Sequence, residues 1–271
     1  MKLEDLQYAF KNDDYFQNLQ YAFYVEYYKY LPLILKNKDK EKGWEERQYK
    51  ILNRYILKTA RKTEASMKKL EEYDRELSSL DFRSSYPGIL IGIGHKHEVK
   101  GKGEIEMGFT FDYVTGMPYL PGSSLKGILR SGFRQTEYIH ETIKEVLHKN
   151  LSDSEIIELE EKIFEGENGK ERFIFYDAVI SGKREDGSLL ALDAITPHPK
   201  DGLKDPIPHT FLRICPGVEI HFVFRLYDVC LSSGKCIEKD QIKKIFENIL
   251  EDFGIGAKTN VGYGVLERIE R

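Results

Sequence analysis

Thr115-Gly116-Met117-Pro118-Tyr119-Leu120-Pro121-Gly122-Ser123-Ser124-Leu125-Lys126-Gly127-Ile128-Leu129-Arg130 reads as an extended approach, a rigid turn and an abrupt helix start. Pro118 and Pro121 fix φ and push their predecessors toward extended backbone. Ser123 or Ser124 is expected to cap the helix by accepting from an N–H one turn in. Leu125, Ile128 and Leu129 then form an apolar stripe at helical spacing. Lys126, Arg130 and Arg134 recur every four residues and share one face. Unsatisfied N–H groups, the positive dipole end and nearby cations suit a polyanion.

A second stretch, Gly254-Ile255-Gly256-Ala257-Lys258-Thr259-Asn260-Val261-Gly262-Tyr263-Gly264, carries four glycines in eleven residues. Gly254, Gly256 and Gly262 allow close backbone approach to a ligand. Lys258 and Asn260 offer donors, and Tyr263 offers a stacking face. Neither stretch fits the Walker pattern; the dinucleotide pattern G-x-G-x-x-G also fails, and this loop follows a helix and not a strand.

Between and around these stretches the pattern is mixed. From about Leu3 to Leu80 the chain reads as helical, with tyrosines and phenylalanines crowded between Tyr8 and Tyr30, and Pro32 is expected to end the first helix. Ile89 to Ile93 reads as a buried strand, and Glu104 to Tyr113 as a second strand paired to it. Residues 135–165 hold nine Asp or Glu against three Lys. They read as an acidic helical insert, with a capping box at Ser152 and Glu155. Arg172 to Ile180, Leu189 to Ile195 and Val218 to Tyr227 read as strands. Glu238 to Phe253 reads as an amphipathic helix with Ile242, Ile245, Phe246, Ile249 and Leu250 inward.

Composition sets bounds. The 271-residue chain carries 32% charged and 12% aromatic residues and a net charge of −4, so any anion site is a local patch on a globular protein. No apolar run approaches the roughly 20 residues a membrane span needs. The first residues show no signal-peptide pattern. Cys215, Cys230 and Cys236 lack C-x-x-C spacing, so reduced thiols in a cytoplasmic protein are expected. On extended backbone His95 and His97 share a face, and Asp193 or His198 could add a third metal ligand. The preferred reading is that these histidines face RNA and that no metal or other cofactor is bound.

The two signature stretches together resemble the RAMP superfamily of CRISPR-associated proteins, over roughly residues 86–269. Tyr176-Asp177-Ala178, the Asp193 to His198 loop and Gly92-Ile93-Gly94-His95 are similar to a subunit of the type III-B (Cmr) effector complex. The resemblance implies an α+β, ferredoxin-like (RRM-related) βαββαβ core over residues 81–271. An N-terminal helical layer over residues 1–80 would pack on it. It further implies a non-catalytic, RNA-binding subunit in antiviral defence, with guide RNA, target RNA and other RAMP subunits as partners. Ser123, Ser124, Lys126, Arg130, Arg134, Gly254, Gly256, Lys258, Asn260, Gly262 and Tyr263 would contact RNA, with His95, His97 and His198 nearby. The alternative is a RAMP endoribonuclease, with a histidine as base or with Asp193 or Asp201 as a loop carboxylate. The resemblance also leads to the expectation that the two signature stretches lie side by side.

Overall fold

Leu80, Phe82 and Ser84 are buried and the residues between them are not, and that period of two makes Leu77–Ser84 a strand. The expected helix over 44–80 is therefore corrected: it ends at Lys62. The strand expected at Ile89–Ile93 is not formed as such, and Leu77–Ser84 takes its place as the first strand. The structure is a computed structural model that describes residues 18–37, 42–63, 76–94, 101, 103–106, 108–166, 172–196 and 208–269. His95, His97, His198 and Asp201 lie outside the described residues, as do the aromatics from Tyr8 to Phe16.

In chain order the helices begin with α1, a run over 19–29 whose middle, Ala22–Glu26, is π-helical. Then come α2 (Leu31–Asn37), α3 (Trp44–Lys62), α4 (Gly122–Phe133), α5 (Thr136–Leu147), α6 (Asp153–Phe164) and α7 (Lys239–Phe253). Pro32 lies in the first turn of α2, where its missing N–H costs nothing, so it opens a helix and does not simply end one. The strands are β1 (Leu77–Ser84), β2 (Tyr119–Leu120), β3 (Ile174–Phe175), β4 (Ala178–Gly182) and β5 (Leu190–Ile195). They continue with β6 (His209–Ile214), β7 (Glu219–Arg225), β8 (Val229–Cys230), β9 (Cys236–Ile237) and β10 (Leu266–Arg268). The described residues divide into two units: one takes those within 18–63, 90–119 and 183–215, the other those within 76–89, 120–182 and 216–269.

In the second unit the sheet order is β10-β1-β7-β4-β2, with β3 pairing the end of β7. β1 is antiparallel to β10 (Ser84 opposite Leu266) and to β7 (Phe82 opposite Ile220). Central β7 is buried on both faces, and on one of them His221 Nδ1 meets the Asp81 carboxylate at 2.8 Å. α7 buries Ile242, Ile245, Phe246, Ile249 and Leu250 as its spacing predicts. Its partner helix α4 comes so close that a Cβ on Gly132 would lie 2.7 Å from the Ile249 side chain. Five rings bind these helices, α6 and the sheet. Phe164 lies 5.5 Å from Phe133 and 5.6 Å from Phe175, and Phe246 lies 5.9 Å from Phe175 and 5.6 Å from Phe224. Such ring pairs add to the stabilisation from buried area. Opposite each other across the β8–β9 pair, Cys230 and Cys236 have Cα atoms 4.0 Å apart and are joined by a disulfide. That corrects the expectation of three reduced thiols. Register, not sequence spacing, made the match. Cys215 is a buried free thiol.

In the first unit, α1 and α3 surround the segment from Gly103 to Phe111, and β5 pairs with β6. The alternating Glu104–Tyr113 segment was expected to pair with a strand at Ile89–Ile93. Among the described residues it makes isolated bridges, Ile105 to Thr210 and Phe111 to Pro118. Besides a few backbone bonds, such as Glu106 N–H to the Thr210 carbonyl at 3.0 Å, side chains satisfy part of its backbone. The Tyr27 hydroxyl accepts from the Ile105 N–H at 3.0 Å and donates to Asn53 at 2.9 Å, and Asn53 Nδ2 donates to the Gly103 carbonyl at 3.0 Å. The Tyr24 hydroxyl donates to the Phe109 carbonyl. The aromatic crowding of α1 thus serves hydrogen bonding as well as packing.

Glu104 sits almost fully buried in this unit, accepting from the Gly101 N–H at 3.2 Å. Burial pushes its carboxyl up to about 7, with Glu106 and Glu45 adding to the rise. A raised folded-state value means that the folded chain holds the proton more tightly than the unfolded one. The associated stability is complete below about pH 4.5 and is lost as pH climbs toward 7. Thermal melts followed by the fluorescence of Trp44, in the same unit, should show lower stability at pH 8 than at pH 5. Glu104→Gln should raise the melting temperature at pH 8 and remove part of that pH dependence.

Candidate nucleic-acid interface

The first signature stretch ends in a closed junction. α4 begins at Gly122, with Pro121 in the cap position, at least two residues earlier than a serine cap requires. Its first N–H donates to the Asp177 carboxylate at 2.7 Å, and the Ser124 and Leu125 N–H groups donate to the Pro121 carbonyl. The serine-cap expectation is corrected accordingly: Ser123 and Ser124 lie inside the first turn and are exposed. Gly122 is required because a Cβ there would lie 2.2 Å from the Phe175 carbonyl oxygen. The carboxylate also answers the positive helix end, and it explains why the strand read over 172–180 is broken between β3 and β4. Tyr176 N–H still donates to the Val223 carbonyl at 3.1 Å, and Asp177 between the two strands turns to the helix.

The cations along α4 meet the acidic insert. Arg130 Nε lies 2.8 Å from Glu160 and its Nη2 2.6 Å from Glu165, while Arg134 Nε lies 3.1 Å from Glu160. Glu165 is held below the usual carboxylate range chiefly by the Arg130 hydrogen bond, with a smaller contribution from Lys126. The insert has its capping box, with Ser152 and Glu155 each satisfying the other's N–H. Other acids face the β8–β9 hairpin: Glu155 holds Lys235 at 2.8 Å, and Glu158 accepts from both the N–H and the hydroxyl of Ser232. The excess negative charge is thus partly spent within the unit.

The second stretch is a loop pinned at its base and open at its tip. A Cβ on Gly254 would lie 2.4 Å from the Gly264 carbonyl oxygen, and one on Gly264 would lie 2.2 Å from that of Ile255. Ile255 N–H donates to Gly264 at 2.9 Å, and Gly264 N–H donates to Gly88 at 2.8 Å. Between them Lys258 takes a left-handed conformation (φ 60°) and leads into a single 3₁₀ turn, Thr259–Val261. Gly256, Asn260 and Gly262 are exposed, and Lys258 and Tyr263 are half-buried. Five successive N–H groups, from Gly256 to Asn260, donate to no acceptor among the described residues. Successive free amides of this kind make an anion-binding concavity.

These two places do not adjoin. Gly122 lies against Phe175, which pairs with Phe224 near one end of β7. The glycine loop lies beyond the other end: Gly264 bonds to Gly88, and Ser85 N–H bonds to Val265 next to the Ser84–Leu266 pair. Ser84 in turn accepts from Gly217, just before β7 begins at Glu219. The five residue steps from Phe224 to Glu219 alone span about 17 Å. By this register the helix start and the glycine loop lie toward opposite ends of β7. The expected juxtaposition of the two stretches is corrected. Elsewhere Asp193 lies 3.1 Å from Arg213 on the facing strand. No His, Cys, Asp and Glu group suited to a metal occurs among the described residues.

Sequence reasoning missed Asp177 as the helix-capping group and Glu160 as the shared partner of two arginines. Both contacts join residues far apart in the chain, and only the motif-like Tyr176-Asp177-Ala178 hinted at the first.

A model of the RAMP superfamily matches residues 81–267. The protein "CRISPR system CMR subunit Cmr6" of Saccharolobus solfataricus is 28% identical over 255 residues, covering 88% of this chain and 78% of that relative. "CRISPR system Cmr subunit Cmr6" of Pyrococcus furiosus is 26% identical over 207 residues, covering 56% and 58%. A chain from the cryo-EM structure of the type III-B Cmr-beta bound to cognate target RNA superposes with a TM-score of 0.61. It is 21% identical in sequence, and the match covers 98% of this chain and 95% of that one.

Replacing Asp177 with Ala should destabilise the second unit by about 1 kcal/mol, the usual cost of a lost helix cap. Gly122→Ala should cost more, because the obstructing atom is backbone. Arg130→Ala should lower the urea midpoint more than Arg134→Ala, since Arg130 holds two carboxylates and is the less exposed of the two. Urea denaturation of the four variants checks both orders.

Proposed function

The chain belongs to the RAMP superfamily, and from that premise we propose that it is a non-catalytic RNA-binding subunit of a type III-B (Cmr) RNA-guided effector complex. In this reading it is the sixth subunit, located toward the 3′ end of the guide RNA. It contributes to antiviral defence in the cytoplasm, beside other RAMP subunits and in contact with guide and target RNA. The similarity to two Cmr6 proteins supports the subunit assignment. The sheet order β10-β1-β7-β4, with α4 and α7 on one face, supports a ferredoxin-like core whose last strand lies beside the first.

The observation that carries the RNA reading is the glycine loop: five backbone donors in sequence that no acceptor among the described residues claims, with Lys258 among them. Backbone amides and a lysine grip the ribose-phosphate chain without reading bases, as a guide-binding subunit that accepts any spacer must. Gly254 and Gly264 shape the loop, and Gly256, Asn260, Gly262 and Tyr263 line it. Ser123, Ser124 and Lys126 form a second, separate contact at the far sheet end. Arg130 and Arg134 contribute there only as far as Glu160 and Glu165 leave them charge to spare. The endoribonuclease alternative would use Asp193, whose carboxylate is engaged by Arg213.

Lys258→Ala in the assembled complex should weaken RNA binding by a similar factor for unrelated sequences. It should also flatten the salt dependence by about one unit of log–log slope. Lys126→Ala should act independently, so that the double variant loses the sum of the two free energies. RNA affinity measured across a salt series tests this. An unchanged slope for Lys258→Ala removes the loop from the RNA interface.

A further inference from the structure

We propose that Tyr86 is a base-stacking residue, placed beside the glycine loop to hold an unpaired nucleobase of the RNA whose backbone the loop grips. The inference rests on the RNA reading of that loop and adds a residue and a type of contact to it.

Tyr86 is 79% exposed, although the backbone on either side of it is anchored. On one side of it, the Ser85 N–H donates to the Val265 carbonyl at 2.9 Å. On the other, the Gly88 carbonyl accepts from the Gly264 N–H at 2.8 Å. The Ser85 hydroxyl adds a bond of 2.8 Å to Glu267. Tyr86 and Pro87 are therefore a two-residue turn clamped at both ends onto residues 264–267. The phenol ring projects from the very backbone that closes the glycine loop.

An aromatic ring held out in water on a clamped turn keeps its apolar area unspent for a partner. The neighbouring exposed side chains extend the same character: Val261 is 67% and Val265 41% exposed. The loop therefore presents two chemistries within one short stretch. Amides 256–260 and Lys258 suit phosphate, and the Tyr86 ring suits a flat apolar face. A single-stranded nucleotide offers that combination, a charged backbone joined to a base with a π-face. A protein partner would have to bring both an apolar face for the ring and a carboxylate for the amides, whereas a nucleotide carries a π-face and a phosphate in every unit. Stacking is tolerant of sequence, because every base has a π-face, so the contact suits a guide of any sequence.

The test uses the full-length chain with fluorescein-labelled oligouridylate RNA, at two salt concentrations, and the same variants assembled with guide RNA and the other subunits. Tyr86→Ala should reduce affinity about 5- to 100-fold with the salt slope unchanged, because no phosphate contact is lost. Tyr86→Phe should stay within about twofold of the parent, since the ring and not the hydroxyl is used. Tyr86→Trp should retain binding and show fluorescence quenching with the same midpoint as the binding curve. The chain's one natural tryptophan, Trp44, is buried at 7% exposure and supplies a steady background. Melting temperatures should not move, because the side chain is exposed. If Lys258→Ala weakens binding and Tyr86→Ala does not, the loop binds RNA without the ring and the inference falls alone. If neither variant weakens binding, the RNA reading of the loop falls with it. Loss of subunit assembly by Tyr86→Ala at unchanged RNA affinity also overturns the inference, by making the ring a protein contact.

Discussion

The bond from the Gly122 N–H to the Asp177 carboxylate, with the Phe175 carbonyl filling the space where a Cβ would stand, is the constraint on which the second unit depends. It joins the start of α4 to the break between β3 and β4, and so sets both the place and the direction of the helix. Once α4 starts there, its far end meets Ile249 of α7 at Gly132, and Phe133 enters the ring cluster with Phe164, Phe175, Phe224 and Phe246. A carboxylate at a helix start is favourable twice, as a hydrogen-bond acceptor and as a charge at the positive dipole end. It also means that the helix end is answered from within the protein.

That arrangement changes how the charges are to be understood. A row of Lys126, Arg130 and Arg134 looks like a phosphate-binding face in one dimension. In three dimensions Glu160 and Glu165 of the insert stand against it, and long-range attraction for a polyanion is reduced to what the ion pairs leave over. The glycine loop shows the opposite balance. It carries little formal charge, yet it holds a run of backbone donors that the fold does not use. Unspent hydrogen-bonding capacity, more than net charge, marks the place where a ligand can gain most.

The first unit solves a different problem. Its segment from Glu104 to Phe111 alternates as a strand does but obtains its hydrogen bonds from Tyr24, Tyr27 and Thr210 in place of a neighbouring ladder. Phenol groups can both donate and accept, and they bring large apolar rings with them. A tyrosine-rich helix can therefore cover an irregular segment without orphaning its backbone. The cost is a buried carboxylate, Glu104, whose ionisation opposes burial.

How much was legible beforehand follows from the range of each interaction. Helices α4 to α7, the capping box at Ser152 and Glu155, the inward face of α7 and the two family motifs were readable. All of them rest on residues within a turn or two of one another, where spacing alone decides the geometry. The first strand was misplaced because Leu77 to Ser84 follows a long helix and its alternation is short. The joining of Cys230 to Cys236 depended on hairpin register. The sharing of Glu160 by two arginines, the capping of Gly122 by Asp177 and the separation of the two motifs to opposite sheet ends depended on how distant segments pack. By itself the sequence determined which local pieces exist and to which family they belong. Tertiary structure alone decided which of those pieces remain unpaired and face outward, because a donor or a charge is available to a ligand only if no distant part of the chain has already claimed it.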